Sequence, residues 1–221
     1  MFRFAITATA WFLWFVLAGS PALTKATTGG NLNITMLGFS SDSEHFLMIA
    51  LGSDDGAGVA RAKIMIVDLA TNRCVPGGCQ KAQGTWDATR TEPDVIDEVL
   101  KKTWQLRQKL QLTPPQGSYY AKGHFENNST AIYNYYLHKK IRAQLLQKVE
   151  ENQHKASMQL KVNIGNREKT LDSLDNYRNF ALEYQLEDSL FISPDGKGFV
   201  FLIKVIYPDG GYDFIVQTMK V

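Results

Sequence analysis

Few residues in this chain combine a reactive type with a chemically useful spacing. The two cysteines are the clearest pair, with Cys74 and Cys79 bracketing Val75-Pro76-Gly77-Gly78. Pro76 and the two glycines let the chain fold back tightly enough to join the sulfurs, so a disulfide is expected in an exported protein. Free thiols are the alternative. A metal centre or redox dithiol is a weaker reading: metal would need two more ligands, and His45, His124, His138 and His154 are scattered away from this loop. Asp54-Asp55-Gly56-Ala57-Gly58 gathers acids as a calcium loop does, but lacks the spaced Asp/Asn ligands and distal Glu. A hairpin link with its acids in water describes it better. Its glycines fail as a phosphate cradle, because no Lys-Ser/Thr follows.

Acid–base and nucleophilic chemistry leave equally thin traces. No Gly-x-Ser-x-Gly occurs. His124, in Lys122-Gly123-His124-Phe125, is the first candidate for a general base, against the plainer reading of a surface or turn histidine. Glu183, Glu187 and Asp188 lie close in sequence, but acid pairs act only at a suitable separation in space. The faces of Tyr133, Tyr135 and Tyr136 suit stacking on a sugar or base. At alternate positions of a strand, though, Tyr133 and Tyr135 would share one face, which more often means packing. Asn33-Ile34-Thr35 and Asn127-Asn128-Ser129-Thr130 contain glycosylation sequons, which matter only in a eukaryotic source. No residue is thus assigned a catalytic, cofactor-binding or metal-binding role, and the site residues are Cys74 and Cys79 as a disulfide.

The elements that must position these residues begin after an export leader. Arg3 precedes an uncharged run from Phe4 through Ala18, which Gly19, Ser20 and Pro21 break. Small residues suit cleavage after Ala22 (with Ser20) or after Ala26 (with Thr24), so residues 1–26 read as a signal peptide and 27–221 as a single β-rich secreted domain. An uncleaved anchor is the alternative, but a spanning helix needs roughly 20 apolar residues. Removing Arg3 and Lys25 takes Lys+Arg from 24 to 22, equal to the 22 acids. A neutral chain excludes broad electrostatic attraction to nucleic acid. The densest basic run, His138-Lys139-Lys140-Ile141-Arg142, reads as a solvated face.

Two β-rich ends flank a more polar middle. Asn33–Phe39 opens the first end, and Phe46–Leu51 and Lys63–Asp68 are short apolar runs bounded by turn formers, whose near-continuous apolarity predicts strands covered, at least in part, on both faces. Gly198–Tyr207 and Tyr212–Thr218 flank Pro208-Asp209-Gly210-Gly211, a hairpin turn. Thr91-Glu92-Pro93-Asp94 opens a helix that runs to about Leu112 before Pro114-Pro115. Met158–Ile164 alternates as a half-buried strand. Residues 131–155 stay ambiguous: Leu137, Ile141, Leu145 and Val149 form an i,i+4 stripe, while the aromatics of Ala131–Leu137 favour a strand.

The ends share a weak repeat. Phe39-Ser40-Ser41-Asp42-Ser43-Glu44-His45-Phe46 matches Ile192-Ser193-Pro194-Asp195-Gly196-Lys197-Gly198-Phe199 position by position. Each is an apolar residue, a Ser-x-Asp turn and a return into a strand, as in β-propeller blades. A propeller needs at least four blades of about 40 residues, and only two copies occur. The expected fold is therefore α+β, mostly antiparallel hairpins with one or two helices in the middle, or else partly propeller-like.

Leu37-Gly38-Phe39-Ser40-Ser41-Asp42, Asp55-Gly56-Ala57-Gly58, Ala62–Leu69, Asn72–Gly77 and the final Ser193-Pro194-Asp195-Gly196 hairpin resemble an uncharacterised bacterial family of predicted secreted proteins with a domain of unknown function. Cys74 departs from it, standing where a large aromatic is expected, and Ser43 stands in place of a glycine. The resemblance implies export and a β-rich fold, and no activity, cofactor or catalytic residue. The expectation is a non-catalytic binding or interaction protein of the cell envelope, periplasmic or secreted, without a membrane span after leader removal. Its partner would be an envelope protein or a surface polymer, met at hairpin edges and loops such as 52–60. The alternative is a periplasmic hydrolase built around His124 and an acid.

Overall fold

The structure, a computed structural model, describes residues 31–53, 58–85, 89–117, 128–150, 152 and 154–221, with the backbone alone for 119–122 and 124–126. The leader, residues 54–57 of the acidic loop and the side chain of His124 lie outside the described residues.

Nine strands make one sheet. In chain order they are β1 (Asn31–Phe39), β2 (His45–Ser53), β3 (Ala60–Asp68), β4 (Arg73–Cys74), β5 (Gln80–Gln83), β6 (Tyr119–Lys122), β13 (Glu183–Ile192), β14 (Gly198–Ile206) and β15 (Tyr212–Lys220). They lie in the order β4-β3-β2-β1-β15-β14-β13-β6, with β5 also on β3. The second sheet has the order β11-β10-β9-β8-β7: β7 (His124–Glu126), β8 (Ser129–Asn134), β9 (Lys139–Glu150), β10 (Lys155–Ile164) and β11 (Arg167–Leu171). A short β12 (Arg178–Asn179) also pairs with β10. Pairing is antiparallel except between β1 and β15, where it amounts to the single pair Asn31↔Tyr212.

That sparse junction is a fold line. Alternate residues of β14 enter different clusters: Phe199, Phe201, Ile203 and Val205 pack with β8–β10, whereas Val200 and Leu202 pack with Phe46, Met48 and Val67 of β2 and β3. The two halves of the large sheet thus face each other across Phe39, Phe46, Phe191 and Phe214. Helix α1 (Glu92–Lys109) covers the remaining face of β2 and β3, at Leu47, Ile49, Ile64 and Ile66. Four layers result: helix, N-terminal strands, C-terminal strands, small sheet. This is why β2 and β14 are apolar on both faces.

The helix begins where its signals place it. Thr91 N donates to the Asp94 carboxylate at 2.7 Å, and Pro93 sits in the first turn. It ends in a Schellman arrangement, with Gln111 at φ 54°, Leu112 N on Arg107 O (2.7 Å) and Gln111 N on Gln108 O (3.0 Å). It is the one helix among the described residues, and the molecule is mostly antiparallel β. The α+β expectation with a second helix therefore overstates the helical share. The ambiguous stretch holds most of β8, all of β9 and the start of β10: a spacing of four is two strand periods as well as one helical turn, and Ile141, Ala143 and Leu145 are buried on one strand face. Among the described residues neither sheet closes on itself and no propeller is formed.

Candidate functional site

The matched Ser-x-Asp segments fold alike. In the first, Ser40 Oγ donates to Asp42 Oδ1 at 2.5 Å, accepts from His45 N at 2.9 Å, and Asp42 Oδ1 accepts from Glu44 N at 3.0 Å. In the second, Ser193 Oγ donates to Asp195 Oδ1, accepts from Gly198 N at 2.7 Å, and Asp195 Oδ1 accepts from Lys197 N at 3.0 Å. The residue after the aspartate is left-handed in both, Ser43 at φ 57° and Gly196 at φ 73°. Lys220, at the end of β15, bridges the pair: its Nζ donates to Glu44 Oε1 (2.6 Å) and Ser43 O (3.3 Å) and lies 3.7 Å from Asp195 Oδ2. Burial pushes the Asp195 carboxyl up. The Ser193 hydroxyl, the Lys197 N–H and the charges of Lys220 and Lys197 outweigh it and hold the carboxyl below its usual range.

A third turn docks on this pair. Asn134, fully buried, accepts from Tyr136 N (2.8 Å) and Leu137 N (3.0 Å) through Oδ1, and donates through Nδ2 to Gly196 O (3.3 Å). One amide thus shapes the β8–β9 turn and pins it to the Ser-Pro-Asp-Gly turn. Tyr136 lies against Gly196 so closely that a Cβ there would meet Tyr136 Cβ at 2.5 Å. The tyrosines stand outward: Tyr133 is 48 % exposed, Tyr135 77 % and Tyr136 51 %. Tyr133 and Tyr135 meet edge to face, with ring centroids 5.1 Å apart. The expectation that they serve packing is corrected, because β8 buries Thr130, Ile132 and Asn134 and turns Tyr133 to solvent. Tyr135 lies beyond the strand, in the turn.

Two further polar centres are interior and structural. Lys63, 7 % exposed, donates to Asp213 Oδ1 (2.9 Å) and Oδ2 (3.0 Å) and to Phe214 O (2.6 Å). It ties β3 to β15 across the fold line. Beside it, burial and the Asp213 charge push the Tyr207 phenol up to about 12. At the small sheet, Arg178 Nη2 pairs with Asp172, and Tyr184 OH of β13 donates to Ala156 O of β10 at 3.1 Å.

Among the described residues, those singled out for catalysis are not brought together. Glu183 is exposed and takes a hydrogen bond from Gln185. Glu187 and Asp188 sit in an irregularity between Leu186 and Leu190, where the β13–β14 register shifts. Burial raises the Glu187 carboxyl, with Lys204 opposing and Asp188 adding to it. His45 Nδ1 lies 4.0 Å from Asp42 Oδ1, while His138 and His154 are exposed at left-handed positions. His124 pairs with Ala131 through its backbone. Among the described residues no group of three or more His, Cys, Asp or Glu is arranged to hold a metal. The Cys74–Cys79 disulfide is formed, with Cα atoms 5.8 Å apart, and staples β4 to the approach of β5 on the edge of β3. Of the sequon asparagines, Asn33 is exposed on β1, and Asn128 accepts from Leu186 N at 3.0 Å, an amide spent on joining the sheets. No helix among the described residues is long and apolar enough to cross a membrane.

The sequence reading missed Asn134 and Lys220. Only an unusual polar residue in an alternating strand, Asn134 after Ile132, hinted at the first. No known protein family matches the chain, and no curated protein does.

Proposed function

We propose that this chain is an exported, non-catalytic binding protein of the bacterial cell envelope, and that the tyrosine-bearing β8–β9 turn is its contact site. The observation that carries the reading is three exposed tyrosines on a turn held by a buried asparagine and seated on a second, internally bonded turn. Tyrosine supplies a large amphipathic contact at low entropic cost, and a rigid mount reduces what binding must order. Single exposed apolar residues are ordinary; three neighbouring rings at one turn are not. The Cys74–Cys79 disulfide suits an oxidising compartment, and the leader-like residues 1–26 and the resemblance to secreted proteins point the same way.

The test is crosslinking and affinity capture of the tagged, exported protein from its native envelope, beside a Tyr133→Ala/Tyr135→Ala variant. A reproducible partner captured by the parent and lost from the variant supports the reading. A solitary protein in both preparations overturns it and directs attention to a hydrolase screen with His124→Ala as control.

A further inference from the structure

We infer that the outward face of the small sheet binds an acidic glycan, whose carboxylates meet Lys140, Arg142 and Lys161 and whose ring faces meet Tyr133 and Tyr135. The inference rests on the binding role proposed above and names its ligand class. It begins from alternation: β9 buries Ile141, Ala143 and Leu145 and so presents Lys140, Arg142 and Gln144, all exposed. The register places Lys140 opposite Tyr133, Arg142 opposite Ala131, and Lys161 of β10 opposite Gln144. Residues two apart along a strand are separated by about 7 Å, and diagonal neighbours across strands by about 7–8 Å. Lys140–Arg142 is the first kind and Arg142–Lys161 the second. Three like charges are thereby held together with exposed rings at one end.

Among the described residues none of the three cations makes an ion pair, whereas Lys101 meets Asp97 at 2.6 Å, Lys102 meets Glu98 at 2.5 Å and Lys220 meets Glu44 at 2.6 Å. The next cation along β9, Lys148, lies 3.9 Å from Asp175. Glu168, opposite Asn163, is the acid that β11 brings to this face, two strands from Arg142. Like charges about 7 Å apart on one face repel, and an anionic ligand would offset that repulsion. The chain beyond residue 26 has 22 basic and 22 acidic residues, so the cluster is local. A neutral molecule lacks the broad field that polyphosphate binding exploits. A local trio of cations beside rings and the Gln144 amide suits a polymer that alternates charge with hydroxyl-bearing rings.

The experiment immobilises polygalacturonate as probe and measures binding of the full exported chain between about 50 and 200 mM salt. Fully methyl-esterified polygalacturonate, polyglutamate, duplex DNA and phosphatidylglycerol vesicles are run in parallel. Binding to polygalacturonate should weaken with salt, fall about tenfold on esterification, and fall about tenfold in Lys140→Gln/Arg142→Gln. Tyr135→Ala should lose several-fold with thermal midpoint unchanged, which separates ring contact from misfolding. Absent binding, equal binding to polyglutamate, DNA or vesicles, or full binding by the variants overturns the inference. If polygalacturonate fails while a captured partner still depends on Tyr133 and Tyr135, the glycan falls and the binding role stands.

Discussion

Ser43 and Gly196 occupy the same place in two turns with the same hydrogen bonds, yet only one of them is a glycine. A left-handed backbone costs an L-residue about 1–2 kcal/mol, and glycine avoids it. Ser43→Gly should therefore raise the unfolding free energy by about 1 kcal/mol, read as a higher urea midpoint at unchanged slope. The Lys220 bond to Ser43 O survives the change, being made to the backbone. The paired aspartates set a pH dependence at the same scale. Asp42 and Asp195 are both held below their ordinary value. A carboxyl with a depressed folded pKa contributes stability above its unfolded pKa of about 3.9, and this is lost as pH falls through the folded value. Asp195→Asn keeps an acceptor without titrating. Its stability should fall less than the parent's below about pH 4, in urea titrations run across that range.

At the scale of elements, the edge of β3 shows how the chain finishes a sheet. β4 and β5 both pair with β3, and Ile66 N reaches Gly78 O between them at 3.0 Å. The disulfide closes the connection, so few backbone groups are left as a template for another strand. A loop this short restricts the unfolded chain only slightly. Cys74→Ser/Cys79→Ser should cost about 2 kcal/mol or less, measurable as a lowered thermal midpoint that matches the parent's under reducing conditions. The edge of β15 is managed by side chains instead: Phe214 O accepts from Lys63, and Thr218 N donates to Asn72 Oδ1 at 2.7 Å.

For the whole molecule, the decisive contact is across the fold line. β1 and β15 share one register pair, so the halves are held by side chains: the phenylalanine cluster, Lys63–Asp213, and the Asn72–Thr218 and Lys220–Glu44 hydrogen bonds. A buried ion pair adds little over apolar residues of equal size, but removing one partner strands the other. Lys63→Met should cost about 3–5 kcal/mol, and Lys63→Met/Asp213→Leu should recover most of that loss. Urea unfolding of the three proteins decides it. A single variant no less stable than the parent would show that the Lys63–Asp213 pair does not contribute to holding the halves together.

What the sequence determined by itself was local. Ser-x-Asp repeats, the Pro-Asp-Gly-Gly hairpin, the Thr91–Asp94 helix start and the Cys74–Cys79 loop are written in short spans, because turns and caps are settled by residues a few positions apart. Its near-continuous apolarity also announced that both faces of β2 are covered, though not by what. Residues 131–155 were undecidable, since a stripe at intervals of four satisfies helix and strand alike. Only the tertiary structure chose, by placing β8–β10 against β13 and β14, where Ile141, Ala143 and Leu145 find partners. The same choice decided the candidate site. Once one face of β8 and β9 is buried, the pleat sends Tyr133, Lys140 and Arg142 to the other, and Asn134 meets Gly196 across 62 residues of chain. Which face meets solvent depends on what packs against the opposite one, and that is a property of the assembled layers rather than of any short stretch of sequence.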